Sequence, residues 1–155
     1  MIPYMLVIAA VVLIDQLSKY IIQNDISLYQ VEIIPGFFDI TYARNTGMAW
    51  SLLSGQQVFL CLVSAAAIIG MMWYLTVRKP KPLISFSLAL MIGGAAGNLI
   101  DRLIFGYVRD FLNFYIFGYD FPIFNIADAA LCIGVFLLLI DTFFEEKRAY
   151  GNSNS

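Results

Sequence analysis

The sequence predicts an all-α membrane protein: four transmembrane helices carrying a small extracytoplasmic β-sheet and a short interfacial helix. Three observations point there. The chain is 61% hydrophobic and 13% charged, far more apolar than a soluble domain. Four stretches, about 2–22, 58–77, 83–103 and 126–144, each approach the ~20 apolar residues that a spanning helix needs. Between the first two lies a run of β-branched and aromatic residues around 24–50. All 155 residues read as one integral membrane domain.

The first helix, 2–22, begins with Pro3, which suits a first turn. It lacks a basic leader and a small-residue cleavage site, so it reads as a retained helix rather than a signal peptide. Asp15 and Lys19 stand one turn apart on one face. Each charge alone would be costly in lipid, and together they neutralise one another. They read as polar support, an internal pair that locks helices.

In the outer region about 24–50, residues 29–34 and 37–43 have strand character and flank the turn dipeptide Pro35-Gly36. Arg44, Asn45, Thr46, Gly47, Met48, Ala49 and Trp50 follow. Asn45 and Gly47 suit a tight turn, and Trp50 suits a membrane interface. Helix two, 58–77, is followed by Arg78, Lys79 and Lys81. With Lys147 and Arg148 after helix four, five of the nine Lys and Arg lie on one side. By the positive-inside bias that side is cytoplasmic, with both termini.

Helix three, 83–103, carries Gly93 and Gly97, a spacing that admits a neighbouring helix closely. It ends in Asn98, Asp101 and Arg102, an amide, a carboxylate and a guanidinium within two turns. The bland reading pairs Asp101 with Arg102; the sharper one gives them work at a site. The segment about 104–125 holds nine aromatic residues and reads as interfacial, half in lipid. Arg109 and Asp110 sit in it. Asn125 is placed to cap helix four, with Asp128 at the third position, where a carboxylate suits the helix dipole. The tail, about 148–155, reads as disordered.

Chemistry is limited by what is absent. The chain has no histidine. Cys61 and Cys132 lie in separate apolar runs and read as packing residues. Zinc chemistry and His-assisted nucleophiles lose their usual parts, and no basic stripe suggests nucleic acid. Two carboxylates at a membrane edge, Asp110 and Asp128, suggest acid–base work by a pair sharing one proton. The competing readings are a small transporter or proton-relay subunit using intramembrane Asp, Lys and Arg, and an assembly protein whose charges only hold helices together.

The ordered blocks Asp15-Gln16-Leu17-Ser18-Lys19, Arg44-Asn45-Thr46-Gly47-Met48-Ala49-Trp50, Gly93-Gly94-Ala95-Ala96-Gly97-Asn98-Leu99-Ile100-Asp101-Arg102, Val108-Arg109-Asp110-Phe111 and Phe124-Asn125-Ile126-Ala127-Asp128 give the chain a further reading. It resembles the bacterial lipoprotein signal peptidases (signal peptidase II), aspartic peptidases of the cytoplasmic membrane. The resemblance implies removal of the signal peptide from diacylglyceryl-modified prolipoproteins, cut just before the lipidated cysteine near the outer face. It implies Asp110 and Asp128 as the catalytic pair. Asn45, Gly47, Asn98, Arg102 and Asn125 would bind substrate or support the dyad, with Asp15, Lys19 and Asp101 as structural polar support. No metal and no cofactor are implied. The expected partners are the prolipoprotein, membrane lipid and inhibitors of the globomycin type, with the enzyme a monomer. Two positions depart from the family's usual residues: Trp50 stands where Phe is common, and Arg109 where a small apolar residue is. A cation beside Asp110 would favour its ionised form.

Overall fold

The computed structural model describes residues 1–48 and 52–153. Trp50 and Ala49, to which the sequence assigns interface and motif roles, lie outside the described residues. Helix α1 spans Ile2–Asn24, α2 Gln57–Trp73 with a wide π-turn continuing over Tyr74–Arg78, α3 Pro82–Phe105 and α4 Ile126–Ser153. All four are long and apolar enough to cross a membrane. Each of the four apolar stretches is helical, over slightly longer bounds. The largest extension is in α4, which runs on through the segment read as a disordered tail, to Ser153. Glu145-Glu146-Lys147-Arg148 are all good helix formers, so nothing in that run stops the helix.

Helix α3 is the middle of the bundle: 56% of its apolar window is buried, against 11–17% for the other three. Those others turn most of their surface outward, as a lipid-facing helix must. Small residues make the centre possible. A methyl group on Gly93 would lie 2.8 Å from Val11 Cβ of α1, and one on Gly94 would run into the Ala127 carbonyl of α4. On Gly97 it would lie 2.6 Å from Asp15 Oδ2. Close helix approach through small residues is how helices bind one another where lipid supplies no hydrophobic drive. Gly97→Ala is therefore expected to displace the Asp15 carboxylate, with an overpacking cost of ~1–3 kcal/mol, read as a lowered melting temperature in detergent.

At the end of the bundle where α1 and α3 finish and α4 begins sits an antiparallel sheet, in the order β1-β2-β3-β4. Strands β1 (Gln30–Ile34) and β2 (Phe38–Asn45) form the hairpin expected around Pro35-Gly36. The aromatic segment, expected to lie at the interface and half in lipid, supplies two strands: β3 (Val108–Ile116) and the two-residue β4 (Tyr119–Asp120). Two strands alone are marginal. The third pairs with β2 through Phe38↔Phe114, Ile40↔Leu112 and Ala43↔Asp110, and Phe38, Phe114 and Phe124 stack in sequence. Outside the spans, the short helical element among the described residues is the 3-10 turn Ile26–Leu28. Gly106, left-handed at φ 74°, ends α3 and turns the chain directly into β3, a conformation that costs glycine nothing.

Candidate active site

A buried charge cluster forms the floor of the site. Asp15, Lys19 and Asp101 are each 0% exposed. Lys19 Nζ lies 2.9 Å from Asp15 Oδ2 and 3.3 Å from Asp101 Oδ2. Asp101 also takes Arg109, whose Nη2 and Nε reach its two oxygens at 2.7 and 3.2 Å and whose backbone N–H adds 2.9 Å. Two anions and two cations thus sit together without net charge, the condition under which burial is tolerable. Gln16 completes the cluster. Its amide donates to Asp101 Oδ1 at 3.0 Å and its carbonyl accepts from Arg109 Nη2 at 2.9 Å. Asp15 Oδ1 accepts the Ala127 N–H at 3.0 Å, so a carboxylate from α1 helps to cap α4.

The expected Asp101–Arg102 pair does not form. Adjacent helix residues point about 100° apart. Asp101 turns to α1 and β3, while Arg102 donates through Nη2 to the Gly47 carbonyl at 3.0 Å. Arg109 likewise does not face Asp110. Neighbours in a strand project to opposite faces, and the Arg109 guanidinium is directed to Asp101, Gln16 and Gln23, 4.4 Å over the Phe105 ring. The direct Arg109–Asp110 contact expected from their adjacency in sequence therefore does not form.

Above this floor stand the two candidate carboxylates. Lys19 Nζ donates to Asn98 Oδ1 at 3.0 Å, which leaves the Asn98 NH2 to donate to Asp128 Oδ1 at 2.7 Å. Asn125 touches both aspartates. Its Nδ2 donates to Asp110 Oδ1 at 2.6 Å, and its backbone N–H to Asp128 Oδ2 at 3.3 Å. The return bond, Asp128 N–H to Asn125 Oδ1 at 2.9 Å, closes the reciprocal cap that the sequence suggests at the start of α4. Asn45 donates to Asp110 Oδ2 at 2.9 Å and is itself held by the Gly47 N–H at 2.8 Å. Backbone bonds fix the two supports together: Phe111 and Leu112 N–H donate to the Phe124 carbonyl at 3.0 and 2.8 Å. The residue after Asp110 is thus fastened to the residue before Asn125.

All ten residues singled out in the sequence therefore belong to one connected network. What the sequence left unassigned is the amide pair Gln16 and Gln23. A glutamine inside an apolar span, between Asp15 and Lys19, is the signal that points to Gln16.

Electrostatically, Asp110 is the altered member on the strand. Burial first, and then the charge of Asp128, push its carboxyl up to about 7, against the downward pull of the Asn45 and Asn125 donors. Two clefts open beside the pair. One, of ≈480 Å³, reaches Asp110 and is bordered by Arg44, Thr46 and Asp120. The other, of ≈520 Å³, reaches Asp128 and runs down the apolar wall of Leu131 and Cys132. Asn45, Met48 and the segment Phe121, Pro122, Ile123 border both.

Four helices of membrane-spanning length and apolarity, with a carboxylate pair at the sheet-bearing end, define the class: a polytopic membrane protein. The sequence profile of signal peptidase (SPase) II matches residues 7–144, and the chain belongs to that family, whose members are aspartic peptidases. It is 42% identical over 151 residues to the lipoprotein signal peptidase of Listeria monocytogenes serotype 4a (strain HCC23), covering 96% of this chain and 97% of that protein. With the Bacillus subtilis (strain 168) lipoprotein signal peptidase it shares 42% over 147 residues, 94% and 96% of the two chains. A solved structure described as a bacterial membrane enzyme, obtained by the in meso method at 2.3 Å, superposes with a TM-score of 0.89 at 38% identity, over 94% of this chain and 90% of that one. A second, at 1.9 Å, gives 0.82 at 39% identity, over 90% and 92%. These matches support the peptidase reading and leave the transporter alternative without support.

Proposed function

We propose that this enzyme removes the signal peptide from diacylglyceryl-modified prolipoproteins, and that Asp110 and Asp128 are its catalytic dyad. The observation that carries the assignment is Asn125, whose side-chain amide and backbone N–H reach one carboxylate each. Asp128 is the base. It sits in the first turn of α4, where the helix end favours an anion, and Asn98 and Asn125 donate to it. Asp110 is the acid, because burial beside a second carboxylate holds its proton. Asp128 takes a proton from water as that water attacks the scissile carbonyl carbon. Asp110 polarises the carbonyl oxygen, and the pair then returns a proton to the leaving amine as the C–N bond breaks. Arg102 holds the Gly47 carbonyl, and with it the turn that carries Asn45, over the cleft.

The two clefts suit a substrate with one lipid-embedded end and one polar end. The apolar cleft beside Leu131 and Cys132 takes the signal helix and the lipid, and the cleft beside Arg44 and Asp120 takes the polar chain beyond the cut. The site lies at the outer face of the bacterial cytoplasmic membrane with both termini cytoplasmic, a reading supported by the cationic residues at 78–81, at the end of the bundle away from the sheet. The enzyme acts as a monomer and is blocked by globomycin-type lipopeptides occupying the same clefts.

The test is purified enzyme in lipid vesicles with a diacylglyceryl prolipoprotein, scored for signal-peptide release. Cleavage of the lipidated substrate that globomycin blocks is the expected result; equal cleavage of the unlipidated precursor removes the lipid from the proposal. The pH profile follows from the same geometry. The carboxyl of Asp110 is raised to about 7, so its proton is present below that value and lost above it. The kcat is expected to fall as pH rises through about 7, approaching tenfold per unit, with the limb belonging to the pair. A flat rate up to pH 9 contradicts Asp110 as the acid.

A further inference from the structure

We propose that Arg109 is a positioning residue for the dyad: its charge and its fork hold Asp101, and thereby leave Lys19 free to orient Asn98 toward Asp128. The inference rests on the peptidase reading above. Lys19 has three acceptors, Asp15 at 2.9 Å, Asn98 at 3.0 Å and Asp101 at 3.3 Å, and an ammonium has three donors. The Asn98 bond is the productive one, because it turns the amide so that its NH2 meets Asp128 at 2.7 Å. Asp101 is the competitor. It is satisfied by Arg109 through both side-chain oxygens and a backbone N–H.

The same residue acts on the other carboxylate. The Arg109 carbonyl accepts Asn125 Nδ2 at 3.4 Å, the amide that holds Asp110 at 2.6 Å. Arg109 is 3% exposed, so these contacts are not diluted by solvent. Without its side chain, Asp101 becomes a buried anion that keeps Gln16, Lys19 and the backbone N–H of residue 109 but has lost both guanidinium contacts, and Lys19 is drawn to it and away from Asn98. The charged and titratable groups around this point are Asp15 and Lys19 from α1, Asp101 and Arg102 from α3, Arg44 from β2, Asp110 from β3 and Asp128 from α4. Arg44 lies across the pair of strands, opposite Arg109, with its guanidinium 5.1 Å over Tyr107. It does not replace Arg109 on Asp101.

The test uses full-length enzyme in vesicles, with three variants. For Arg109→Gln, kcat is expected to fall about tenfold to a hundredfold, the scale of a misplaced catalytic group, with KM within about twofold. The uncompensated anion moves the limb set by Asp110 upward. Arg109→Lys retains the charge and leaves that limb in place, with a reduced kcat. In Asp101→Asn/Arg109→Gln the charge is balanced again, and the limb returns to its wild-type position. A purely structural role would lower the melting temperature without moving the limb. A wild-type kcat and limb in Arg109→Gln overturn the inference. So does a limb in the double variant that stays displaced, an outcome readable even where Arg109→Gln alone does not fold. Wild-type enzyme in the same vesicles separates the two proposals: if it cleaves and the variants behave like it, only the role of Arg109 fails.

Discussion

Asp110→Asn and Asp128→Asn are each expected to lower signal-peptide release by about 10²–10⁴-fold, the range general acid–base groups supply, while the protein stays folded. An amide keeps the size of the carboxylate but neither takes up a proton nor gives one. The two variants have different structural surroundings. Asp128→Asn retains an oxygen to accept the Asn98 donor, but its NH2 opposes the Asn125 N–H of the α4 cap. Asp110 accepts two side-chain amides, Asn45 and Asn125, one on each oxygen, so Asp110→Asn faces a donor with a donor on one side. Double replacement is expected to cost no more than either single change, because residues that work as a unit are not additive. Cleavage is read on the lipidated precursor, and folding by the melting temperature. Full activity in either variant removes that carboxylate from the reaction.

The second large effect concerns stability. Lys19→Met is expected to cost about 3–5 kcal/mol, the price of breaking a buried ion pair by removing one partner. Lys19 lies between Asp15 and Asp101, all three 0% exposed, so the variant leaves two carboxylates with one cation, Arg109. Asn98 also loses its orienting bond. The double change Lys19→Met/Asp15→Asn should recover part of the loss by restoring the charge balance, though Asp15→Asn changes the group that caps α4 through Ala127. Denaturation in detergent of the three proteins measures the recovery. A Lys19→Met protein as stable as wild type contradicts the cluster as drawn.

Much of this was legible in the sequence because membrane chemistry leaves strong marks. Length and apolarity announce each span, and Asp15 with Lys19 announces a polar interior. The Asn125–Asp128 cap could be read from spacing alone, and the structure closes it in both directions. The strands in 104–125 were not legible. Val108, Arg109, Asp110 and Phe111 are all buried, so β3 shows no alternation of polar and apolar residues over its first half. Its aromatic density then reads as an interfacial segment. The misplacement of Arg109 followed from that: without a strand there is no reason to send it to the face opposite Asp110. Asp101 and Arg102 were separated by the same kind of detail, because their partners come from elements distant in sequence. The amide of Asn125 is a third case. Its place at the helix start was visible, but its second contact, to Asp110, depends on the Phe124 carbonyl holding β3 against the start of α4.

The central claim is that two carboxylates, joined through Asn125, hold one proton between them at neutral pH. Infrared difference spectroscopy of the enzyme in vesicles, titrated through about pH 7, measures this directly through the carboxylic acid C=O stretch. The account predicts one protonated carboxyl that titrates near that value in wild type and is missing in Asp110→Asn. A wild-type spectrum without it, or a band that persists unchanged in both Asp110→Asn and Asp128→Asn, contradicts the shared proton.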